Sequence, residues 1–374
     1  MKYKGIYAKL KYIALTKGLF VLSKDKCTAS CKKTSIGGQA LIEGIMMRGP
    51  KKTAMAVRHV SGEIRIKEWE TGSQDVPKFF KLPIIRGVYS FIVSMKMGYK
   101  CLMDSAEMSG IEDEINEEAN KKKTDEIEEV SAEAPEETPI EAPVEAEETE
   151  GDTKRVVKAE EKKSSALMNV LMVIASVLGV ALALVLFLYL PVKIVDGISY
   201  FVPTFNERFL RSFTEGVLRI VIFVVYMASM SLMKDVRRTF MYHGAEHKSI
   251  FCYEAGLELT VENIKKMGRF HPRCGTSFMI LMLIVGIFIS MLIPTGIPAI
   301  LRTAIKLCCL PIVMGLGYEL IRLAGRHDNI VTRIISKPGV WLQHISVLEP
   351  DDDMIECAIE ALKRVIPEDE SDNW

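Results

Sequence analysis

Two histidines sit four residues apart in Tyr242-His243-Gly244-Ala245-Glu246-His247-Lys248, and a third stands near a cysteine in His271-Pro272-Arg273-Cys274. Three of the six histidines of the chain thus fall in one polar stretch between two apolar runs. Imidazole and thiolate are the donors that zinc and other borderline-soft divalent ions select. On a helix, His243 and His247 lie one above the other on a single face and can grip one ion. Glu246 lies beside them, offset around the helix. His-x-x-Glu-His is the inverted zincin order, in which the glutamate is a general base rather than a ligand. Zinc lowers the pKa of a bound water to about 7, and Glu246 could take its proton. His271 and Cys274, at a loop spacing, could add two further ligands. Four protein ligands would close a structural site, whereas three would leave a position open for chemistry. A five-residue string occurs by chance, and solvated histidines on a basic loop would read the same way. Spacing alone decides neither case.

Other polar residues could complete a site. Glu43 and Arg48 lie in Gly37-Gly38-Gln39-Ala40-Leu41-Ile42-Glu43-Gly44-Ile45-Met46-Met47-Arg48-Gly49-Pro50, which reads as a constrained loop with exposed polar groups or as an ordinary surface ion pair. Arg48 or Arg273 could contact a substrate anion, and so could Tyr242 or Lys248. Glu319 lies in an apolar run close to Arg322, and a Glu319–Arg322 pair is the favoured reading. Cys27 and Cys31 have a weak metal spacing and read better as two free thiols.

The elements that must position these residues begin with four apolar runs, at 166–190, 216–233, 276–294 and 298–324. The first and third carry no charge, and the first is long enough to cross a bilayer. Net charge is zero over the 374 residues, so bulk electrostatics favour no partner class and nucleic acid is not expected. Basic residues gather before the first run, between the second and third, and after the fourth. By the positive-inside rule, both termini and the histidine-rich hairpin at 234–275 are then cytoplasmic. The cysteines outside the fourth run would sit in a reducing compartment, which argues against a disulfide framework.

The expected architecture is therefore a mainly α membrane protein with about four transmembrane helices. Residues 1–33 form a basic leader. Residues 34–109 form a cytoplasmic β-rich unit, with a strand over Ala54 to Val60, a turn at Ser61-Gly62, a return strand over 64–67, and an interfacial or re-entrant helix over 82–109. Residues 110–163, rich in glutamate and lacking aromatics, are a disordered acidic linker. Residues 164–324 are the transmembrane region, and residues 325–374 a cytoplasmic tail. That tail is polar up to 350 and then helical from about Met354 to Val365. In the hairpin, the pattern predicts a helix over 238–255, a stop at Gly256, and a short helix capped by Thr260.

Four stretches resemble the YqhQ-like family of bacterial membrane proteins, a family of unknown function commonly labelled predicted metal-dependent enzymes. They are the Gly37-to-Pro50 motif, His243-Gly244-Ala245-Glu246-His247-Lys248, His271-Pro272-Arg273-Cys274-Gly275-Thr276-Ser277-Phe278, and the region from Tyr318-Glu319-Leu320-Ile321-Arg322 to Glu349-Pro350-Asp351-Asp352. The resemblance implies an integral membrane protein with motif residues facing the cytoplasm. It groups Glu43, Arg48, His243, Glu246, His247, His271, Arg273 and Cys274 as one cluster. The chain departs from the family in its long acidic insertion and in His344-Ile345-Ser346-Val347, where a threonine-rich run is expected.

The functional expectation is a multi-pass cell-membrane protein embedded in the lipid bilayer, with Zn2+ or another divalent metal at its cytoplasmic face. His243, His247, and His271 or Cys274 would bind the ion. Glu246 would be the base, with Glu43, Arg48 and Arg273 as further catalytic candidates. The substrate would be a membrane-proximal lipid or peptide. The alternatives are a non-catalytic assembly protein with a structural metal, and a transporter with Arg302, Lys306 and Glu319 along its path. The sequence leaves the oligomeric state open.

Overall fold

The computed structural model describes residues 33–72, 77–111, 174–326, 329–369 and 371–372. The basic leader, Cys27 and Cys31, the acidic linker beyond residue 111 and the first eight residues of the first apolar run lie outside the described residues. Among those described, four strands form an antiparallel meander in the order β1 (Gly37–Leu41), β2 (Gly44–Arg48), β3 (Lys52–Arg58) and β4 (Ile64–Glu70). The return strand over 64–67 is thus found, three residues longer than expected.

Alternation along the strands sends side chains to opposite faces, and both faces of the sheet are covered. Ile45, Met47, Ala54 and Ala56 pack toward α4 (Lys234–Glu254) and α10 (Asp352–Val365). Leu41, Met46, Met55 and Val57 pack toward Cys101, Met97 and Met108 of α1 (Ile85–Ser109). The result is a three-layer α/β body. Its last helix is strongly amphipathic, burying Met354, Ile355, Ala358, Ala361, Leu362 and Val365 on one stripe. Each large aliphatic side chain buried there contributes about 1.5–3 kcal/mol, so the C-terminal segment is part of the core. Arg364 with Glu68 and Arg58 with Glu356 pin α10 to the sheet.

Two helices are long and apolar enough to cross a membrane: α2 (Ile174–Phe201) and α3 (Arg208–Met230). A third candidate is the pair α7 (Ala299–Cys308) and Leu310–Leu323 of α8 (Leu310–Arg326), bent by 46°. The third apolar run forms α6 (Gly275–Ser290). Its 16 residues rise about 24 Å, short of the roughly 30 Å hydrocarbon core. The four expected spans therefore become two full-length helices, one bent pair and one short helix among the described residues. The turns at 202–207 and 291–298 meet at one end: Ser212 Oγ donates to Ser290 O at 3.2 Å, and Arg208 bonds Leu292 O. The α/β body joins the other end, through α4 and the start of α6.

Small residues set the helix crossings. A Cβ on Gly87 of α1 would stand 2.7 Å from Tyr318 Cβ and 3.0 Å from Gly315 Cα of α8. This crossing brings the Arg86 guanidinium onto the Glu319 carboxylate, with Nε to Oε1 at 2.6 Å. Arg86, rather than Arg322, is therefore the hydrogen-bonded partner of Glu319. The segment read as a polar stretch is also different: α9 (Ile330–Ser346) spans it, despite Pro338, behind a capping box made by Asn329 and Thr332. Gly339 of α9 lies against Ser277 of α6, where a Cβ would meet Ser277 Cα at 2.5 Å.

On α4, a Cβ at Gly244 would meet the Leu348 carbonyl oxygen at 1.9 Å, so the backbone itself would have to move. Ala ordinarily gains up to ~1 kcal/mol over Gly in a helix, but overpacking of this kind costs about 1–3 kcal/mol. Gly244→Ala and Gly339→Ala should each lower the thermal unfolding midpoint of the detergent-purified protein by several degrees. Gly37→Ala, with nothing within 4 Å of the added carbon, should not. A Gly244→Ala protein as stable as the parent would refute the close approach.

Candidate metal centre

The site is assembled by α4, the hairpin that follows it and the end of α9. Helix α4 carries His243 and His247 on one face, with ring centroids 4.5 Å apart. Gly256, at φ +67°, ends the turn after α4, and Thr260 Oγ1 accepts from Asn263 N at 3.3 Å to start α5 (Val261–Lys265). These stop and start signals match the sequence pattern. The chain then returns through Arg269 to Cys274, which caps α6.

Side-chain nitrogen and sulfur atoms of His243, His247 and Cys274 all lie within 4.8 Å of one another. His243 Nε2 is 3.1 Å from Cys274 Sγ, near the edge of about 3.5 Å that tetrahedral Zn–N and Zn–S bonds of roughly 2.1 and 2.3 Å would give. Both imidazoles are held from behind. His243 Nδ1 donates to Ser346 O at 3.0 Å, and His247 Nδ1 to Arg269 O at 2.6 Å. A proton on each Nδ1 leaves each Nε2 with a lone pair turned to the thiol, from which His243 Nε2 accepts. This is the orientation that carbonyl partners impose on metal-ligating histidines. Burial chiefly lowers the His247 pKa, against the contact with Cys274, which favours the neutral ring a ligand needs.

Glu246 lies one position from His247, almost fully buried. Its Oε1 accepts from Gly38 N at 3.1 Å, and its Oε2 has no hydrogen-bond partner. Burial pushes the Glu246 carboxyl above its usual range, opposed by His243 and the Gly38 N–H. Gly38 also forms part of the wall of a cleft of about 520 Å3 between the sheet and α1, lined by Gly37, Gln39, Arg48, Ser94 and Met97.

The remaining sequence candidates are placed elsewhere. His271 abuts His247, with ring centroids 5.6 Å apart, but its Nδ1 accepts from Arg273 N and its Nε2 lies 3.9 Å from Glu254 Oε2. Arg273 bonds Thr34 O and the Glu254 carboxylate. Burial works against ionisation of Glu254, and His271 and Arg273 outweigh it to hold the carboxyl below its usual range. Glu43 occupies the β1–β2 turn at φ +49°, bonded to Arg238 and Tyr242. Arg48 is exposed at the cleft. Lys248 is buried against Lys265 O and Glu349. Tyr242 and Lys248 are thus each held by a polar partner within the body.

Two supports were not legible as site residues. The Ser346 carbonyl comes from α9, in the segment whose composition reads as a polar stretch. Gln343, fully buried on the same helix, accepts from His271 N and donates to His271 O, both at 2.8 Å. It fastens the hairpin to α9. The only advance signal was the Asn329-x-x-Thr332 cap.

Residues 82–368 match the family described as Protein of unknown function (DUF1385). The chain is also 30% identical over 354 residues to the uncharacterized protein YqhQ of Bacillus subtilis (strain 168), covering 88% of this chain and 92% of that protein. No solved structure matches.

Gln343→Leu would leave the buried His271 N–H without its partner, at about 1–3 kcal/mol, and the His271 C=O with only the 3.3 Å bond from Cys274 N. The unfolding midpoint should fall, and amide exchange at 270–275 should quicken. Unchanged exchange there would show that Gln343 does not hold the hairpin.

Proposed function

The chain belongs to the DUF1385 family of proteins of unknown function, and from that premise we propose that it is a multi-pass membrane protein with a zinc-type site on the cytoplasmic face of its α/β body, used for hydrolysis of a membrane-proximal substrate. The observation that carries this reading is the pair of Nδ1–carbonyl tethers that aim two imidazole nitrogens at the Cys274 thiol. Three protein donors beside a buried carboxylate with a free oxygen suit a catalytic centre better than a closed one.

His243, His247 and Cys274 would hold the ion. A divalent cation there supplies Lewis acidity, acidifying water and polarising a carbonyl or phosphoryl oxygen. Glu246 Oε2, buried and without a hydrogen-bond partner, would be the proton acceptor. The Gly38 N–H fixes the other carboxylate oxygen, so the carboxyl cannot swing away. The cleft lined by Gly37, Gly38 and Gln39 reaches the site through Gly38, whose N–H holds Glu246, and would be the place of substrate entry, with Arg48 in its lining to receive an anionic group. Its α1 wall continues to α8, the crossing that links the body to the apolar helices. A lipid headgroup or a peptide near the bilayer fits that location.

Depth of burial supports a second reading, a structural metal in an assembly protein. His247 and Cys274 are 2% and 8% exposed, and a solvent molecule could close the coordination without chemistry.

Metal analysis of the purified chain should give about one zinc per molecule. His247→Ala and Cys274→Ser should lose it, and His271→Ala should keep it. Glu246→Gln should retain the metal while abolishing turnover of ester or phosphoester substrates presented in micelles. Loss of fold in His247→Ala with a silent Glu246→Gln would select the structural reading, and a metal-free parent protein would dismiss both. For topology, a cysteine introduced at Thr204 should react with an impermeant maleimide in intact cells, and one at Lys363 only after permeabilisation. The reverse pattern would invert the proposed orientation.

A further inference from the structure

Far from the histidines, α3 carries Arg211, Glu215 and Arg219 one turn apart on one face, at 7%, 1% and 6% exposure. Arg219 is the midpoint of this 23-residue helix, the depth at which a charge is most costly in a bilayer. Helix α7 brings Arg302 and Lys306 to the same place, and both bond the Glu215 carboxylate. Arg211 bonds Glu215 and Asp196 of α2. Arg219 Nε donates at 2.7 Å to Phe187 O, within the π-helical turn Val185–Tyr189. Such wide turns free backbone carbonyls and recur at functional sites.

The charges do not balance. Among the described residues, the carboxylates that Arg211, Arg219, Arg302 and Lys306 meet are Asp196 and Glu215, four cations against two anions. Spare donors remain as well: Arg219 Nη2, Arg302 Nε and Thr303 Oγ1 are buried without a partner. An ion network that served packing alone would be neutral and saturated, because each uncompensated buried charge costs several kcal/mol. Guanidinium forks and a hydroxyl match the oxygens of a tetrahedral oxyanion. An excess of two positive charges matches a phosphate dianion, and a phosphodiester neutralises half of it.

We propose that α2, α3 and α7 enclose a binding site for a phosphate group, with Arg219, Arg302 and Thr303 as its donors and Lys306 as a second cation. The phosphate is either the headgroup of an anionic phospholipid, reached from the bilayer, or a free anion entering between the turns at 202–207 and 291–298. The site is independent of the metal chemistry proposed above.

The test uses the full-length protein, purified in detergent and delipidated. Unfolding midpoints are read against inorganic phosphate, against dihexanoyl-phosphatidylglycerol, and against potassium chloride and dihexanoylglycerol as controls lacking phosphate. At least one phosphate probe should raise the midpoint saturably with one-to-one stoichiometry. Response to inorganic phosphate identifies a free-anion site. Response to the lipid alone, with a phospholipid retained in native mass spectra before delipidation, identifies a headgroup site. Arg219→Gln and Arg302→Gln should each weaken binding tenfold or more, Glu215→Gln should strengthen it, and exposed Arg237→Gln should leave it unchanged. Cys274→Ser and chelator treatment should have no effect, which separates this site from the metal centre. Failure of both probes to exceed their controls on the parent protein overturns the proposal even if the variants do not fold. Undiminished binding to a folded Arg219→Gln protein does the same.

Discussion

The rings of His243 and His247 each need an acceptor for the proton on Nδ1, and the arrangement around them follows from that requirement. Each ring places Nδ1 on a backbone carbonyl from outside its own helix, Ser346 for one and Arg269 for the other. Those carbonyls must arrive within hydrogen-bond distance of α4. For the first, α9 and the segment after it lie directly on the helix, and Gly244 is the residue that permits the approach. For the second, the hairpin folds back and is fastened through Gln343. The C-terminal helix then completes the core beneath α4. Hydrogen-bond satisfaction at two rings thus explains why the hairpin, α9 and the last helix close on one another.

The same accounting separates two kinds of buried charge. In the α/β body, charged groups are saturated by specific partners: Lys248 by Glu349 and a carbonyl, Arg273 by Glu254 and Thr34 O. Glu246 departs from this, with one oxygen fixed and the other without a partner, as do Arg58 Nε and His271 Nε2. Among the apolar helices the imbalance is larger, since α3 and α7 bury more cation than anion. Unsatisfied buried groups cost stability, which is why these are the places where a bound water, ion or ligand is to be sought.

Local patterns were read correctly where the physics is local. The helix over α4, its stop at Gly256, the Thr260 cap and the β3–β4 hairpin all depend on residues within a few positions of each other. The spacing of His243 and His247 follows from helix geometry alone. Errors arose where a distant partner decides. Glu319 finds Arg86, more than two hundred residues away, because Gly87 and Gly315 let two helices touch. A helix crosses Pro338 because packing on α6 at Gly339 outweighs a broken backbone bond. The third apolar run is uncharged and reads as a span, yet folds as a helix of 16 residues.

The apolar helices, the small antiparallel sheet and the concentration of metal-type donors between residues 243 and 274 follow from the order of residues alone. Composition and short-range periodicity suffice for those features. Only the tertiary structure decided that Cys274 joins His243 and His247 while His271 turns to Glu254, and that Glu43, Arg48 and Arg273 stand apart from them. The reason is that ligand convergence depends on which carbonyls and carboxylates the folded chain brings behind each side chain. Those partners come from elements up to a hundred residues or more away.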